Sequence, residues 1–153
     1  MFTGDRSGNW LYAALHRNGY ANQPESVDAE DGLRLRDAYV TAVVRCAPPA
    51  NRPSPAERDN CLHYLKRELE LLERCQTIVA LGAFAWDGAL RALRGLGVEA
   101  PRPRPRFAHG TEVAIGEWTL LGCYHPSQQN TFTGRLTEPM LDRVFSRARE
   151  LSG

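Results

Sequence analysis

The sequence predicts an α/β fold, a three-layer α/β/α sandwich around a mostly parallel sheet. Three observations carry this reading. Apolar runs at helical spacing alternate with short apolar runs rich in β-branched residues, in the order helix–strand–helix–strand–helix–strand–helix. Start and stop signals punctuate the helices: Ser54 before Pro55, Thr137, and glycines such as Gly19. The 153 residues fit one domain, large enough to bury a core between such layers.

Element by element, "SGNWLYAALHRNG" places Trp10, Leu11, Ala14 and Leu15 at helical spacing, with Gly19 as the stop. A polar loop, "ANQPESVDAEDG", follows. "LRDAYVTAVVRC" predicts a buried strand centred on Tyr39 to Val44, because its middle is β-branched and nearly uncharged. The prolines of "APPANRP" then exclude regular structure. In "SPAERDNCLHYLKRELELLERC", Ser54 caps a helix, Pro55 opens its first turn and Glu57 completes a capping box. Cys61, Leu62, Leu65, Leu69 and Leu72 give that helix one apolar face. "QTIVALG" reads as a short buried strand and "AFAWDGALRALRGLG" as a helix closed by glycine. "PRPRPRFAHG" is a stiff exposed loop, and "TEVAIGEWTLLGCY" makes one or two strands bent near Gly116. "LTEPMLDRVFSRARELS" forms the last helix, with Thr137 as its N-cap.

Ligands of parallel α/β sheets bind beyond the carboxyl ends of the strands. That rule gathers "CAPPANRP", "GAFAWDG" and "HPSQQNTFTGR" at one edge. His125, which leads the last of these, ends an apolar strand just before a proline and a dense polar run. A lone histidine is often structural, but a neutral imidazole at this edge can donate a hydrogen bond to a developing anion. The run from Ser127 to Thr133 can supply amides and hydroxyls to phosphates. Asp5 can cap the helix that follows it or serve the site, and Asn51 can be a turn asparagine or a reader of a heterocycle. Together with His125 they offer a carboxylate, an amide and an imidazole on three loops.

The formal net charge of +1 announces no polyanionic partner. Lys66 is the only lysine among 19 cations, so the rest are arginine. A GC-rich genome explains such a bias in general, and Arg102, Arg104, Arg106 and Arg135 are the candidates for phosphate contacts. No apolar run is long enough to span a membrane, and "MFTGDRSGNW" lacks the apolar core of a signal peptide, so a cytoplasmic protein is expected. Four cysteines in a reducing compartment point to metal ligands or core residues rather than disulfides. Cys75 and Cys123 follow apolar patterns and read as core, whereas Cys46 and Cys61 can be half of a four-cysteine cluster site. A zinc site from Cys46, Cys61 and His63 has no recognised spacing. Signatures for α/β hydrolases, P-loops and dinucleotide folds are absent.

"FTGDRSGNWLY", "VTAVVRCAPPANRPSPAERDNC" and "YHPSQQNTFTGRLT" resemble three consecutive motifs of the iron–sulfur uracil-DNA glycosylases, over essentially the whole chain. The family-4 branch places an asparagine four residues before the first cysteine of this pair. Ala42 stands there, so the chain is most similar to the family 5, or B-type, branch. The resemblance implies a base-excision repair glycosylase that hydrolyses the N-glycosidic bond of uracil, and of other deaminated bases, in double- or single-stranded DNA, acting as a monomer. It implies that Phe2 stacks on the flipped base, Asp5 sits beside the attacking water, and Asn51 helps hold water or base. His125 would bond the O2 side of uracil, while Gln128, Gln129 and Asn130 lie on the loop that enters the duplex, with Ser127 and Arg135 beside them. Cys46 and Cys61 would be two ligands of a structural [4Fe–4S] cluster. Members also carry, before "FTGD", a Cys-x-x-Cys pair, a first strand and a "GLAPG"-like loop. The expectation is therefore a single glycosylase-like domain over residues 1–153 that lacks its N-terminal segment and two cluster ligands. The alternative is a truncated, non-catalytic piece with residual DNA binding.

Overall fold

In a computed structural model of the chain, residues 3–45, 50 and 52–153 are described. The helices are α1 (Arg6–Arg17), α2 (Pro55–Leu71), α3 (Ala83–Gly95), α4 (Gln128–Phe132) and α5 (Glu138–Leu151), and the strands are β1 (Thr77–Leu81), β2 (Glu112–Ile115) and β3 (Trp118–Cys123). The α2 capping box forms as its sequence dictates: Ser54 Oγ accepts from the Glu57 N–H and Glu57 accepts from the Ser54 N–H at 2.6 Å. Thr137 likewise caps α5. Gly116, with φ +58°, makes the tight turn that divides β2 from β3.

The strands form one sheet in the order β1-β3-β2, with β1 parallel and β2 antiparallel to β3. The sheet is thus mixed, since the chain spends its antiparallel pair on a hairpin. Strand alternation splits the apolar residues between two clusters. Leu121 and Cys123 face Leu11, Ala14 and Leu15 of α1 and Leu141, Val144 and Phe145 of α5. Leu120 and Ala80 face Leu65 and Leu69 of α2 and Trp86, Ala89, Leu90 and Leu93 of α3. Helices therefore cover both faces, giving three layers, and a fully buried leucine such as Leu11 or Leu93 contributes roughly 1.5–3 kcal/mol. Arg17 also forks onto Asp142, which fastens α1 to α5 through Nε at 2.9 Å and the terminal nitrogen at 2.9 Å.

The strand expected over Tyr39 to Val44 does not form. Ala38 and Val40 pack on the first cluster and Val43 on the second, so the segment gains its apolar burial without a ladder. Its polar groups turn to α2 instead. Tyr39 and Thr41 hydroxyls donate to Glu68 at 3.0 and 2.5 Å, and Arg45 pairs with the same carboxylate at 2.5 Å. β-propensity here reports side chains suited to half-burial, which a packed irregular segment satisfies as well. The polar run after His125, read as a loop, holds the short helix α4. Among the described residues, no helix is long and apolar enough to cross a membrane.

One glycine fixes how the sheet meets the arginine-rich loop. A Cβ at Gly122 would stand 2.3 Å from the Ala108 carbonyl oxygen, a backbone atom that cannot swing away. Gly122→Ala is therefore expected to destabilise the fold by about 1–3 kcal/mol, the usual scale of overpacking. Urea denaturation checks this, and an unchanged midpoint would mean that the loop relaxes freely.

Candidate functional site

Because β1 and β3 run parallel and side by side, the loops that leave them emerge together. The Gly82 N–H, just past β1, donates to the Cys123 carbonyl at 2.8 Å. Gly82 has φ +97°, and a Cβ there would stand 3.5 Å from that of His125. His125 is half-buried in the loop after β3, with Pro126 buried behind it. Burial pushes its pKa below the ordinary 6.5, and the negative charge of Asp5 opposes that push. The imidazole is thus neutral at pH 7, and its environment includes a carboxylate from the far end of the sequence.

Asp5 is the N-cap of α1, where its Oδ1 accepts from the Gly8 N–H at 2.6 Å. Gly4, at φ +70°, turns the chain into that cap and donates its N–H to the Ser26 carbonyl at 2.7 Å. Both readings of Asp5 are therefore compatible, since one oxygen caps and a carboxylate has two.

Most of the polar run after His125 builds its own turn. Ser127 Oγ accepts from the Asn130 N–H at 3.3 Å, and the Asn130 amide donates to the His125 carbonyl at 2.9 Å. The Thr133 hydroxyl donates to the Gln129 carbonyl at 2.7 Å. Gln128 and Gln129 are exposed. Sequence reasoning missed Phe132, which is 65% exposed and lies under the Arg6 guanidinium at 4.0 Å from the ring centre. The available signal was a phenylalanine inside a polar run. Arg135 is exposed and lies 4.6 Å over the Tyr124 ring. Arg104 is exposed and pairs with Asp87, as do Arg91 and the buried Arg58.

Phe2, Cys46 and Asn51 lie outside the described residues. Cys61 is a half-buried free thiol on α2. Cys123 is a core residue as expected, whereas Cys75 is only half-buried and belongs to neither core cluster. Burial raises both pKa values, that of Cys123 to about 12, and their thiols donate to the carbonyls of Thr77 and Tyr124. His63 Nδ1 sits 3.0 Å from the Asn60 carbonyl of its own helix. Among the described residues, no group of three or more His, Cys, Asp or Glu is arranged to hold a metal ion. Of the two cluster ligands expected in this chain, Cys46 and Cys61, only Cys61 lies among the described residues.

Ala42 lines a cavity of about 350 Å³ with Tyr12, Val40, Thr41, Val44 and Arg45. Of its polar members, Thr41 and Arg45 are bound to Glu68. Burial and the charges of Asp31 and Asp5 raise the Tyr12 pKa.

One consequence can be measured on the free protein. The pKa values of His125 and His109 are both held below 6.5, chiefly by burial. Below about pH 6.5 the unfolded chain binds more protons than the folded one, so stability must fall as pH drops through that value. Well above pH 7 both histidines are neutral in either state and the contribution is constant. The melting temperature is expected to be lower at about pH 5.5 than at about pH 7.5, with a shallower slope in His125→Gln. An equal slope in that variant would show that His125 is not desolvated.

Residues 1–149 match the family described as the Uracil DNA glycosylase superfamily. The chain is 56% identical, over 155 residues covering all of it, to the type-5 uracil-DNA glycosylases of Mycobacterium bovis and Mycobacterium tuberculosis. It is 46% identical over 153 residues to that of Thermus thermophilus, covering 99% of the chain. The chain spans 56% of the length of the two mycobacterial relatives and 67% of the Thermus one.

Proposed function

The chain belongs to the uracil DNA glycosylase superfamily, and from that premise we propose that it removes uracil from DNA by hydrolysing the N-glycosidic bond. The observation that carries the reading is the half-buried His125 where β1 and β3 end side by side, with the Asp5 charge acting on it. A base inside a duplex must first leave the stack, at a cost of a few kcal/mol, and a U·G mismatch lowers that cost. Gln128, Gln129, Asn130 and Ser127 hold the opened strand from the α4 turn, and Arg135 meets its phosphates.

Cleavage builds negative charge on the departing pyrimidine and positive charge on the sugar. His125 donates its N–H to the O2 side of the base, a group of the oxyanion-hole kind. Asp5 keeps one oxygen on the Gly8 N–H and orients water with the other, while its charge favours the cationic sugar. Asn51 assists with water or base, and Phe2 stacks on the flipped ring. Other deaminated bases enter the same pocket, because Ala42 supplies no amide to select among them. The protein acts as a monomeric single domain in the cytoplasm.

The test is release of uracil from a U·G duplex, read as alkali-labile abasic sites. Product that accumulates with the 153-residue chain supports the reading. Salt-dependent binding with no product, even with enzyme in excess, would replace it with the alternative of a non-catalytic DNA-binding piece.

A further inference from the structure

We infer that His109 is a positioning residue for His125: its imidazole stands in for the missing β-ladder partner at the end of β3 and holds the backbone from which His125 springs. The inference rests on the proposed reaction and adds a residue from the segment read as an exposed loop.

β2 pairs with β3 only as far as Glu112 opposite Leu121, so Gly122, Cys123 and Tyr124 run on past the end of their antiparallel neighbour. The loop between α3 and β2 takes over there. The Gly110 N–H donates to the Gly122 carbonyl at 2.7 Å, and the Gly122 N–H donates to the Thr111 carbonyl at 2.8 Å. The next inward-facing donor, the Tyr124 N–H, is met by His109 Nδ1 at 3.0 Å. Residue 125 follows at once.

An Nδ1 that accepts from an N–H carries no proton, so the proton is on Nε2. The Met140 backbone, at the start of α5, also acts on the ring and favours a proton there. His109 thus bridges the strand end to the helix behind it in a single neutral tautomer. Burial favours that uncharged form, and the nearby Arg143 guanidinium from α5 adds to the preference. The loop that carries His109 is itself held. The Trp86 indole donates to the Pro105 carbonyl at 3.1 Å, and Phe107 lies edge-on to Trp86 and against Tyr124 at ring separations of 6.1 and 6.2 Å. The Tyr124 ring meets His109 at 5.0 Å. A bracket of this kind is what keeps a catalytic side chain within the half-ångström that efficient chemistry requires.

Two variants separate positioning from mere support. In His109→Asn, the side-chain oxygen occupies nearly the place of Nδ1 and accepts from Tyr124, while the approach to Met140 is lost. His109→Ala loses both. Single-turnover uracil release with saturating enzyme is expected to fall in His109→Ala on the order of 10–100-fold, the scale of a small misplacement. DNA affinity should be unchanged, Tyr124 amide exchange should accelerate, and His109→Asn should recover most of the rate. A full rate in His109→Ala, or no recovery in a folded His109→Asn, would overturn the proposal. If the unsubstituted protein releases no uracil, the proposed reaction fails, and the bracket is then judged on exchange alone: equal protection of the Tyr124 amide in both proteins would overturn it.

Discussion

Replacing His125 by alanine is expected to slow uracil release from a U·G duplex by on the order of 10²–10³ at neutral pH. The size follows from where the residue sits. Its ring is desolvated enough to stay neutral, so it brings a hydrogen-bond donor to the leaving base without the cost of holding a buried cation. A donor of this type contributes about 2.7–4 kcal/mol to the transition state and little to ground-state binding. The loss should therefore appear in the single-turnover rate, with duplex affinity retained. Melting curves control for folding, because Pro126 and the Asn130 bond to the His125 carbonyl remain in the variant. An unchanged rate in a folded His125→Ala would remove His125 from the mechanism.

The second large effect concerns Asp5, where two roles share one side chain. Asparagine caps helices about as well as aspartate, so Asp5→Asn should melt at nearly the native temperature. It has no charge to orient water or to favour a cationic sugar, and uracil release should fall on the order of 10²–10⁴. Asp5→Ala should lose the cap as well, at about 0.5–2 kcal/mol of stability. The contrast is the measurement: a stable but slow Asp5→Asn supports the assignment. An Asp5→Asn that is both stable and fast would leave Asp5 as the α1 cap and nothing more.

Local chemistry made much of this fold readable from residues alone. Ser54, Pro55 and Glu57 specify a helix start by satisfying donors within three residues of each other, and the structure forms that box as written. Thr137 and Gly116 are similar cases, because caps and tight turns depend on neighbours in sequence. Tyr39 to Val44 were misread because a strand depends on what lies beside it. Glu68, some thirty positions on, claims the Tyr39, Thr41 and Arg45 side chains, and no local pattern announces that claim. The site divides along the same line. His125 and Asp5 stood out by type and position, whereas Phe132 and His109 gain their standing from partners distant in the chain, Arg6 and Tyr124. Arg104 is exposed as its sequence suggests, yet it pairs with Asp87, a partner that no local pattern announces.

The packing of α1 against α5 has a consequence for the order of folding. Leu11 and Leu15 find their partners in Leu141, Val144 and Phe145, and the Arg17–Asp142 fork spans 125 positions. Closing so long a loop is entropically costly and slow relative to local contacts. A chain in which α1 and the sheet have formed, but not yet α5, holds α1 only against Leu121, Cys123 and Leu136. The contact between the two helices is thus expected to form late in folding, after the local contacts within each helix.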